Sequence, residues 1–245
     1  MAGKPLEGRI ALVTGASRGI GAATASALAE AGAHVVLAAR KAKDLEAVEE
    51  AIHEAGGTAT IAPLDLTESD SIARLAAAVT ERWDKLDVLV INAAMLPSLT
   101  PVTQIDPKQF NQVLTLNVLA TQALLAAFDP LLKRSARGRV IGLTSSVGES
   151  PRAYWGAYGA SKAAFDNLLA SYAQEVEGIS GTRVAIVDPG ATRTQMRARA
   201  YPGEDPATVK PPERVAERIV ALLTENSPIC PASAWGSVSF DRDAR

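Results

Sequence analysis

Short aliphatic segments alternate with longer Ala- and Leu-rich stretches along this chain, and this alternation restricts its fold more than any other feature. The short segments are rich in Val, Ile and Leu and lie between Gly, Pro or charged residues, which is typical of buried strands. The longer stretches carry apolar residues at three- and four-residue spacing, which is typical of helices. Repeated units of this kind predict an α/β fold, doubly wound, with helices on both faces of a mostly parallel sheet. The six predicted strands are residues 9–14, 34–39, 58–63, 86–91, 138–144 and 182–187, and residues 236–240 are a candidate seventh.

Length and composition exclude several classes of protein. The 245 residues fit one domain over residues 1–245. The formal charge of −2, with no basic run, argues against a nucleic-acid partner. No run approaches the ~18 apolar residues of a membrane span, and the single cysteine, Cys230, cannot form an internal disulfide, so we expect a cytoplasmic protein without a membrane partner. Two histidines, His34 and His53, are too few for a histidine-rich metal site, and we expect no metal.

A glycine-rich turn follows the first predicted strand. Backbone N–H groups at such a strand-to-helix turn, together with the positive end of the helix dipole, bind a pyrophosphate. The spacing is G-x-x-x-G-x-G, which differs from the G-x-G-x-x-G of the common dinucleotide fingerprint, and a tight turn that only packs helix against strand is the alternative. The candidate cofactor-binding residues of the turn are Gly15, Ser17, Arg18, Gly19, Ile20 and Gly21.

The same turn also matches the G-x-S-x-G nucleophile elbow of hydrolases, with Ser17 as the nucleophile. An elbow serine needs a histidine, and neither histidine is suitably placed. His34 begins the second strand, so at ~3.3 Å per residue it lies roughly 20 Å from the carboxyl ends of the strands. His53 is predicted on an exposed helix. The hydrolase interpretation is therefore excluded.

Arg40 at the end of the second strand bears on the choice of cofactor. NAD-binding proteins usually carry Asp or Glu at this point to bind the ribose hydroxyls. Here Ala39 leaves room, and Arg40 can bind a 2′-phosphate, with Arg18 as a second cation. The sequence therefore favours NADP(H) over NAD(H). The alternative is that both arginines are ordinary solvated surface residues.

Tyr158 and Lys162 lie four residues apart in a predicted helix, so they share one face. A neighbouring cation stabilises phenolate and lowers the pKa of a tyrosine toward the range useful for proton transfer. Ser145 ends the fifth strand, where its hydroxyl could bond a substrate carbonyl or cap the loop. Asn117 interrupts an apolar run, and its amide needs hydrogen-bond partners if it is buried. One alternative for Asn117 is a structural role, in which the amide bonds to backbone groups and clamps them together.

Taken together, these motifs resemble the short-chain dehydrogenase/reductase family, with a Rossmann-type fold, over essentially the whole chain. The resemblance implies that Tyr158 is the general acid/base, that Ser145 orients the substrate oxygen, that Lys162 binds ribose and lowers the Tyr pKa, and that Asn117 holds a water of a proton relay. It further implies a cofactor site that includes Asp65 and Leu66 at the adenine, Asn92 and Ala93 in the cleft, and Pro189, Gly190, Thr192 and Thr194 at the nicotinamide carboxamide.

Two departures from the family pattern concern Ala94, where glycine is usual, and the tail at 233–241, where a glycine-rich ending is usual. The substrate pocket is predicted at Val147, Tyr154 and Trp155, covered by a lid formed by the proline-rich segment 191–212.

The resulting prediction is an NAD(P)-dependent oxidoreductase of carbonyl or alcohol groups that forms a homodimer or homotetramer. One alternative substrate is a 3-oxoacyl thioester on coenzyme A or a carrier protein, with Arg197 and Arg199 at its phosphate. An alternative of another class is a non-catalytic dinucleotide-binding regulator.

Overall fold

The computed structural model describes residues 3–68, 70–224 and 238–240. Within these residues, seven strands form one sheet in the order β3-β2-β1-β4-β5-β6-β7, and every pairing is parallel. The doubly wound α/β fold is therefore confirmed, and the described sheet is wholly parallel rather than mostly parallel. The strands are β1 (Ile10–Thr14), β2 (His34–Ala39), β3 (Thr58–Pro63), β4 (Val88–Ile91), β5 (Arg139–Leu143), β6 (Arg183–Asp188) and β7 (Val238–Ser239).

Helices follow the strands and cover both faces of the sheet. Asp106 caps one of them, because its carboxylate accepts a hydrogen bond from the Lys108 N–H. Gly32 and Gly56 lie just beyond two helix ends with φ of 102° and 77°, a conformation that suits glycine. The helices are α1 (Gly19–Glu30), α2 (Ala42–Glu54), α3 (Ser71–Trp83), α4 (Pro107–Leu114), α5 (Ala120–Arg134), α6 (Ser146–Glu149), α7 (Gly156–Val176), α8 (Gln195–Ala200) and α9 (Pro212–Thr224).

The core has two layers because each parallel strand buries both of its faces. Ala11 and Val13 of β1 point to the layer formed with α1, α2 and α9. Leu12, between them, points to the layer formed with α3, α5 and α7. The alternation of side chains along the strand therefore joins the two layers through one sheet.

A π-helical turn, Thr115–Leu119, joins α4 and α5 into one helix, Pro107–Arg134. By length and hydropathy alone this helix is able to cross a membrane, a test that core helices of soluble proteins also pass. Leu124 and Phe128 pack in the second core layer, so burial against the sheet accounts for much of its apolar character.

The chain runs outward from β1 to β3 on one side of the sheet and outward from β4 to β7 on the other, so the strand order reverses between β1 and β4. Ligands of such sheets bind in the crevice at the carboxyl ends of these two strands. The segment 191–212 follows the carboxyl end of β6. It is more regular than predicted, since it contains α8 and a short 3₁₀ turn, Pro206–Thr208. The Arg193 N–H donates to the Lys210 carbonyl (2.8 Å), which brings the two ends of this segment together. Of the candidate seventh strand, Val238–Ser239 is confirmed, whereas Cys230 and most of the atypical tail lie outside the described residues.

Candidate active site

Thr14 and Asn92 join the ends of β1 and β4 beneath the glycine-rich turn. The Thr14 hydroxyl donates to the Val90 carbonyl (3.1 Å) and accepts from the backbone N–H groups of Asn92 (3.0 Å) and Ala93 (3.1 Å). The Asn92 amide donates to the carbonyls of Thr14 (2.9 Å) and Gly15 (3.3 Å). Asn92, predicted to line the cofactor cleft, therefore holds the backbone of the glycine-rich turn in place through these hydrogen bonds.

The glycines of the turn are required by close approach. A Cβ atom on Gly21 would collide with the Gly15 carbonyl oxygen and lie 2.5 Å from the Asn92 amide nitrogen. Gly15 and Gly19 have positive φ values of 66° and 56°, which L side chains rarely adopt. A Cβ on Gly19 would lie 3.4 Å from the Thr194 methyl, so the stretch after β6 meets the turn at this point.

The part of the crevice that is predicted to bind the adenine lies beyond the carboxyl ends of β2 and β3. The Asp65 carboxylate accepts hydrogen bonds from the Thr67 N–H (2.9 Å) and hydroxyl (2.7 Å). Partial burial raises the pKa of Asp65, but these two bonds and the charge of Arg40 outweigh it and hold the pKa below its usual value. Leu66 is half-buried against the second core layer, and Arg18 and Arg40 are both exposed. The structure thus places Arg40 beside Asp65, at the outer end of the crevice.

Tyr158 and Lys162 both lie near the start of α7 and are nearly inaccessible, at 6% and 2% exposure. The Lys162 ammonium donates to the Leu143 carbonyl at the end of β5 (2.7 Å) and lies 5.9 Å from the centre of the Tyr158 ring. Burial lowers the pKa of Lys162 to about 8. Burial also raises the pKa of Tyr158, and the carboxylates of Asp188 and Asp166 add to that rise. In the free protein both groups therefore disfavour their charged forms.

α6, which Ser145 immediately precedes, packs closely against α7, which carries Tyr158. A Cβ on Gly148 would lie 3.0 Å from the Lys162 carbonyl carbon, and a Cβ on Gly159 would lie 2.9 Å from the Val147 carbonyl oxygen. Ser145 immediately precedes α6 and is half-buried. Within the described residues, neither its hydroxyl nor that of Tyr158 makes a hydrogen bond, so both are available to a substrate oxygen.

The amide of Asn117, in the π turn, binds protein groups on both sides. Its oxygen accepts from the Met95 N–H (2.9 Å), and its nitrogen donates to the Met95 carbonyl (3.1 Å) and to the Ser161 hydroxyl (3.0 Å). The Ser161 hydroxyl in turn donates to the Tyr158 carbonyl (2.7 Å). These bonds are those of a structural clamp, which connects the loop after β4 with α7.

Comparison with known proteins agrees with this geometry. Residues 9–205 match the family described as short chain dehydrogenase. The chain belongs to this family. The uncharacterized oxidoreductase YciK of Escherichia coli K12 is 37% identical over 225 residues, which cover 91% of this chain and 88% of YciK.

Solved structures of this family superpose closely. A short chain dehydrogenase from Pseudomonas syringae has a TM-score of 0.90 and 41% identity, covering 94% of this chain and 95% of its own. A short chain dehydrogenase from Shigella flexneri 2a, solved with NADP, has a TM-score of 0.88 and 36% identity, covering 94% of this chain and 97% of its own. This chain is therefore an oxidoreductase of the short chain dehydrogenase family.

The sequence analysis missed three polar groups behind the Tyr–Lys pair of this short chain dehydrogenase. Asp166 lies one turn beyond Lys162, and its Oδ1 is buried without a hydrogen-bond partner among the described residues. Thr144, at the end of β5, has a buried hydroxyl that lies close enough to the Asp166 carboxyl to lower its pKa. Asp188 is buried at the end of β6 and accepts from the Gly190 N–H (2.9 Å). The i,i+4 spacing of Lys162 and Asp166 is the one signal in the sequence that pointed to this group.

The predicted pocket residues lie together on the segment between β5 and α7. Val147 is buried, and Tyr154 is 60% exposed with a positive φ of 71°. The Tyr154 carbonyl accepts from the Thr100 N–H (3.1 Å), which holds this segment to the loop after β4. Trp155 lies edge-on to Tyr158, with ring centres 6.0 Å apart. The structure thus brings Trp155 directly beside the candidate catalytic tyrosine.

Proposed function

We propose that this chain is an NADP(H)-dependent oxidoreductase that transfers hydride between a nicotinamide and a carbonyl or alcohol carbon, with residues 1–245 as a single dinucleotide-binding domain. One observation carries the proposal: Tyr158 and Lys162 are both buried near the start of α7, with the ammonium 5.9 Å from the Tyr158 ring centre, and Ser145 immediately precedes α6, which packs against α7. Two donors at one point stabilise a developing alkoxide.

The crevice fits a dinucleotide. α1 begins at Gly19, inside the glycine-rich turn, so the positive end of its dipole and its free N–H groups lie at this turn. Residues of the glycine turn would hold the pyrophosphate, Arg40 and Arg18 the 2′-phosphate, and the stretch Pro189 to Thr194 the carboxamide. When bound, the cofactor supplies the hydride and, in its oxidised form, a positive charge.

Tyr158 gives its proton to the substrate oxygen in reduction and takes it back in oxidation, while Ser145 orients that oxygen. Burial raises the pKa of Tyr158, and the carboxylates of Asp188 and Asp166 add to that rise, so the phenol holds its proton until a substrate oxygen takes it. Because the pKa of Lys162 is about 8, the ammonium is largely protonated at neutral pH. The Leu143 carbonyl fixes its position, and the Asn117 clamp fixes the backbone that carries Tyr158.

Fluorescence titration with NADPH and NADH, followed by a screen of ketones and aldehydes, tests this proposal. We expect tighter binding of NADPH and its oxidation by at least one carbonyl class. Equal affinity for the two cofactors would contradict the role of Arg40. NADPH binding without oxidation by any ketone or aldehyde would favour the non-catalytic regulator instead.

The thioester alternative loses part of its support. Arg197 donates to the Glu204 carboxylate from Nε (2.7 Å) and Nη2 (2.5 Å), so its charge is already neutralised within the lid. Arg199 is exposed on α8. Faster reduction of an acyl thioester than of a simple ketone would restore this alternative.

We further propose a cytoplasmic homodimer or homotetramer. An apolar groove of about 570 Å³ lies between α3 and the long helix, lined by Leu66, Ile72, Leu119, Ala123 and Ala127 among others. Leu119 is 60% exposed there, and burial of such a surface between subunits is favourable. A mass measured in solution by light scattering tests this assembly, which a monomeric mass would contradict.

A further inference from the structure

Two aromatic rings lie in succession beside the candidate catalytic residue. Trp155 lies edge-on to Tyr158, with ring centres 6.0 Å apart, and the Tyr201 ring lies 5.8 Å from that of Trp155. Tyr201 follows α8 within the segment 191–212, so the rings connect this segment with the catalytic helix. Trp155 and Tyr201 are together called the aromatic wall. Both residues are half-buried.

Two guanidinium groups lie against the aromatic wall. Arg197 lies 3.8 Å above the Tyr201 ring. Arg152 lies 6.0 Å from the Trp155 ring and donates from Nη1 to the Tyr201 hydroxyl (2.5 Å). Cations over aromatic faces are attracted by the negative face of the ring, so the wall holds both side chains in place.

The charges of these two arginines are balanced differently. Arg197 is neutralised by two hydrogen bonds to Glu204, which lower the pKa of that carboxyl. The contacts of Arg152, in contrast, are a phenol and an indole, which are both neutral. Among the residues that the structure describes, no carboxylate forms an ion pair with it. The aromatic wall therefore carries one uncompensated positive charge, at the mouth of the site.

We propose that Arg152 binds a carboxylate of the substrate, so that the preferred substrates are compact oxo acids and the corresponding hydroxy acids. This inference rests on the proposed oxidoreductase function. A guanidinium presents its N–H groups in a planar fork that matches a carboxylate, and the bond to Tyr201 occupies only one of its five donors. Because the wall already orders the side chain of Arg152, less conformational entropy is lost when the carboxylate binds.

The distances favour a short substrate. Two successive separations of 6.0 Å join the Arg152 guanidinium to the Trp155 ring and that ring to the Tyr158 ring, so the guanidinium lies at most about 12 Å from the centre of the Tyr158 ring. A carboxylate in contact with the guanidinium takes up about 4 Å of this span, so a chain of a few bonds is enough to join the carboxyl and carbonyl carbons. Short-chain or cyclic oxo acids fit this separation.

The test compares acids with their neutral esters. 4-Oxopentanoate, 5-oxohexanoate and 9-oxodecanoate, each with its methyl ester, are reduced by the NADPH-loaded enzyme, and kcat/KM is measured for each. We expect the two shorter acids to exceed their esters by about tenfold or more, as for loss of one charge-assisted hydrogen-bonded pair, and the longest acid to show a smaller preference.

Variants of Arg152 decide whether this residue causes the preference. Arg152→Gln is expected to bring the acid-to-ester ratio to about one, and Arg152→Lys to keep part of it. Arg214→Gln, the same change at an exposed arginine of α9, is expected to leave the ratio unchanged. An equal loss for acid and ester in Arg152→Gln would overturn the inference, because Arg152 would then only support the aromatic wall. An ester reduced as fast as its acid by the unaltered enzyme would overturn it as well.

A binding measurement separates this inference from the proposed function. Hexanoate has no carbonyl to reduce, and we expect it to bind the NADP⁺-loaded protein saturably in calorimetry, and Arg152→Gln to weaken its binding at least tenfold. Failure to reduce any ketone, charged or neutral, would refute the proposed function, whereas hexanoate binding would still report on Arg152. Equal binding of hexanoate by both proteins would refute the carboxylate site.

Discussion

The buried carboxyl group of Asp166 allows a quantitative prediction, because its burial has a cost that removal of the charge should recover. Burial raises the pKa of Asp166 from 3.8 to about 6, and the Thr144 hydroxyl and the Lys162 charge only partly oppose this rise. Asp188 and Glu149 add like charge to the same region. The substitution Asp166→Asn keeps the shape of the side chain and removes the charge.

The pKa values give the size and the sign of the effect. The folded state holds the Asp166 proton more tightly than the unfolded state does, so the free energy of unfolding falls as pH rises from about 4 to about 6. The difference between 3.8 and about 6 corresponds to about 3 kcal/mol, which is an upper value. Asp166→Asn should therefore be more stable than the unaltered protein by up to about 3 kcal/mol at pH 7.5 and nearly equal to it at pH 4.

Urea unfolding at a series of pH values from 4 to 8 measures this difference. Glu175→Gln, at an exposed carboxylate of the same helix, is the matched control and should show no such trend. A difference that does not change with pH, or a loss of stability at pH 7.5, would refute the reasoning. The same substitution should also change the pH dependence of catalysis. Without the negative charge of Asp166 the pKa of Lys162 falls below about 8, so as pH rises the activity should begin to decline at a lower pH than in the unaltered enzyme.

Three further predictions follow from other parts of the structure. Arg40→Asp should weaken NADPH binding at least tenfold, measured by fluorescence titration, and leave NADH binding unchanged or stronger, because only NADPH carries the 2′-phosphate and a carboxylate here binds ribose hydroxyls. Gly148→Ala should lower kcat by about tenfold and cost about 1–3 kcal/mol of stability, since its Cβ would lie 3.0 Å from the Lys162 backbone and move α6 away from α7. Arg183→Thr should raise stability by about 0.2–1 kcal/mol at low salt, because Arg183 and Arg139 are directly paired on neighbouring strands and repel each other.

Each of these has its own control. Lys43→Asp changes the charge of an exposed residue on α2 and should not distinguish the cofactors. Gly203→Ala adds a methyl where nothing lies within 4 Å, so kcat and melting temperature should stay the same. The gain from Arg183→Thr should vanish at ~1 M salt, where surface charges are screened, and a gain that persists there would contradict the electrostatic cause.

Local sequence patterns predicted the strands well because burial and β-branched composition act over a few residues. β2 and β3 have the predicted bounds, His34–Ala39 and Thr58–Pro63. The parallel arrangement and the position of the glycine turn at the edge of the sheet follow from the alternation of strands and helices. The segment 191–212 was less well predicted: its prolines indicated irregular structure, whereas it contains the short helix α8.

The finer features of the site depend on contacts between distant segments, which no local pattern contains. The approach of Gly148 to the backbone of α7 depends on how α6 packs. The Arg152–Tyr201 bond joins residues that are 49 positions apart. The sequence indicated only that the Asn117 amide needs hydrogen-bond partners if it is buried, and the fold shows that these partners are Met95 and Ser161.

Tyr158→Phe is the most direct test of the proposed chemistry, since it removes one hydroxyl from a ring that is 6% exposed and leaves its packing intact. The measurement is the single-turnover rate of NADPH oxidation with the best ketone from the substrate screen, together with the Kd for NADPH. The predicted result is a loss of about 100-fold or more in the rate with the Kd changed less than threefold, as expected for removal of a general acid. A variant that keeps most of the rate would contradict the assignment of Tyr158 as the proton donor.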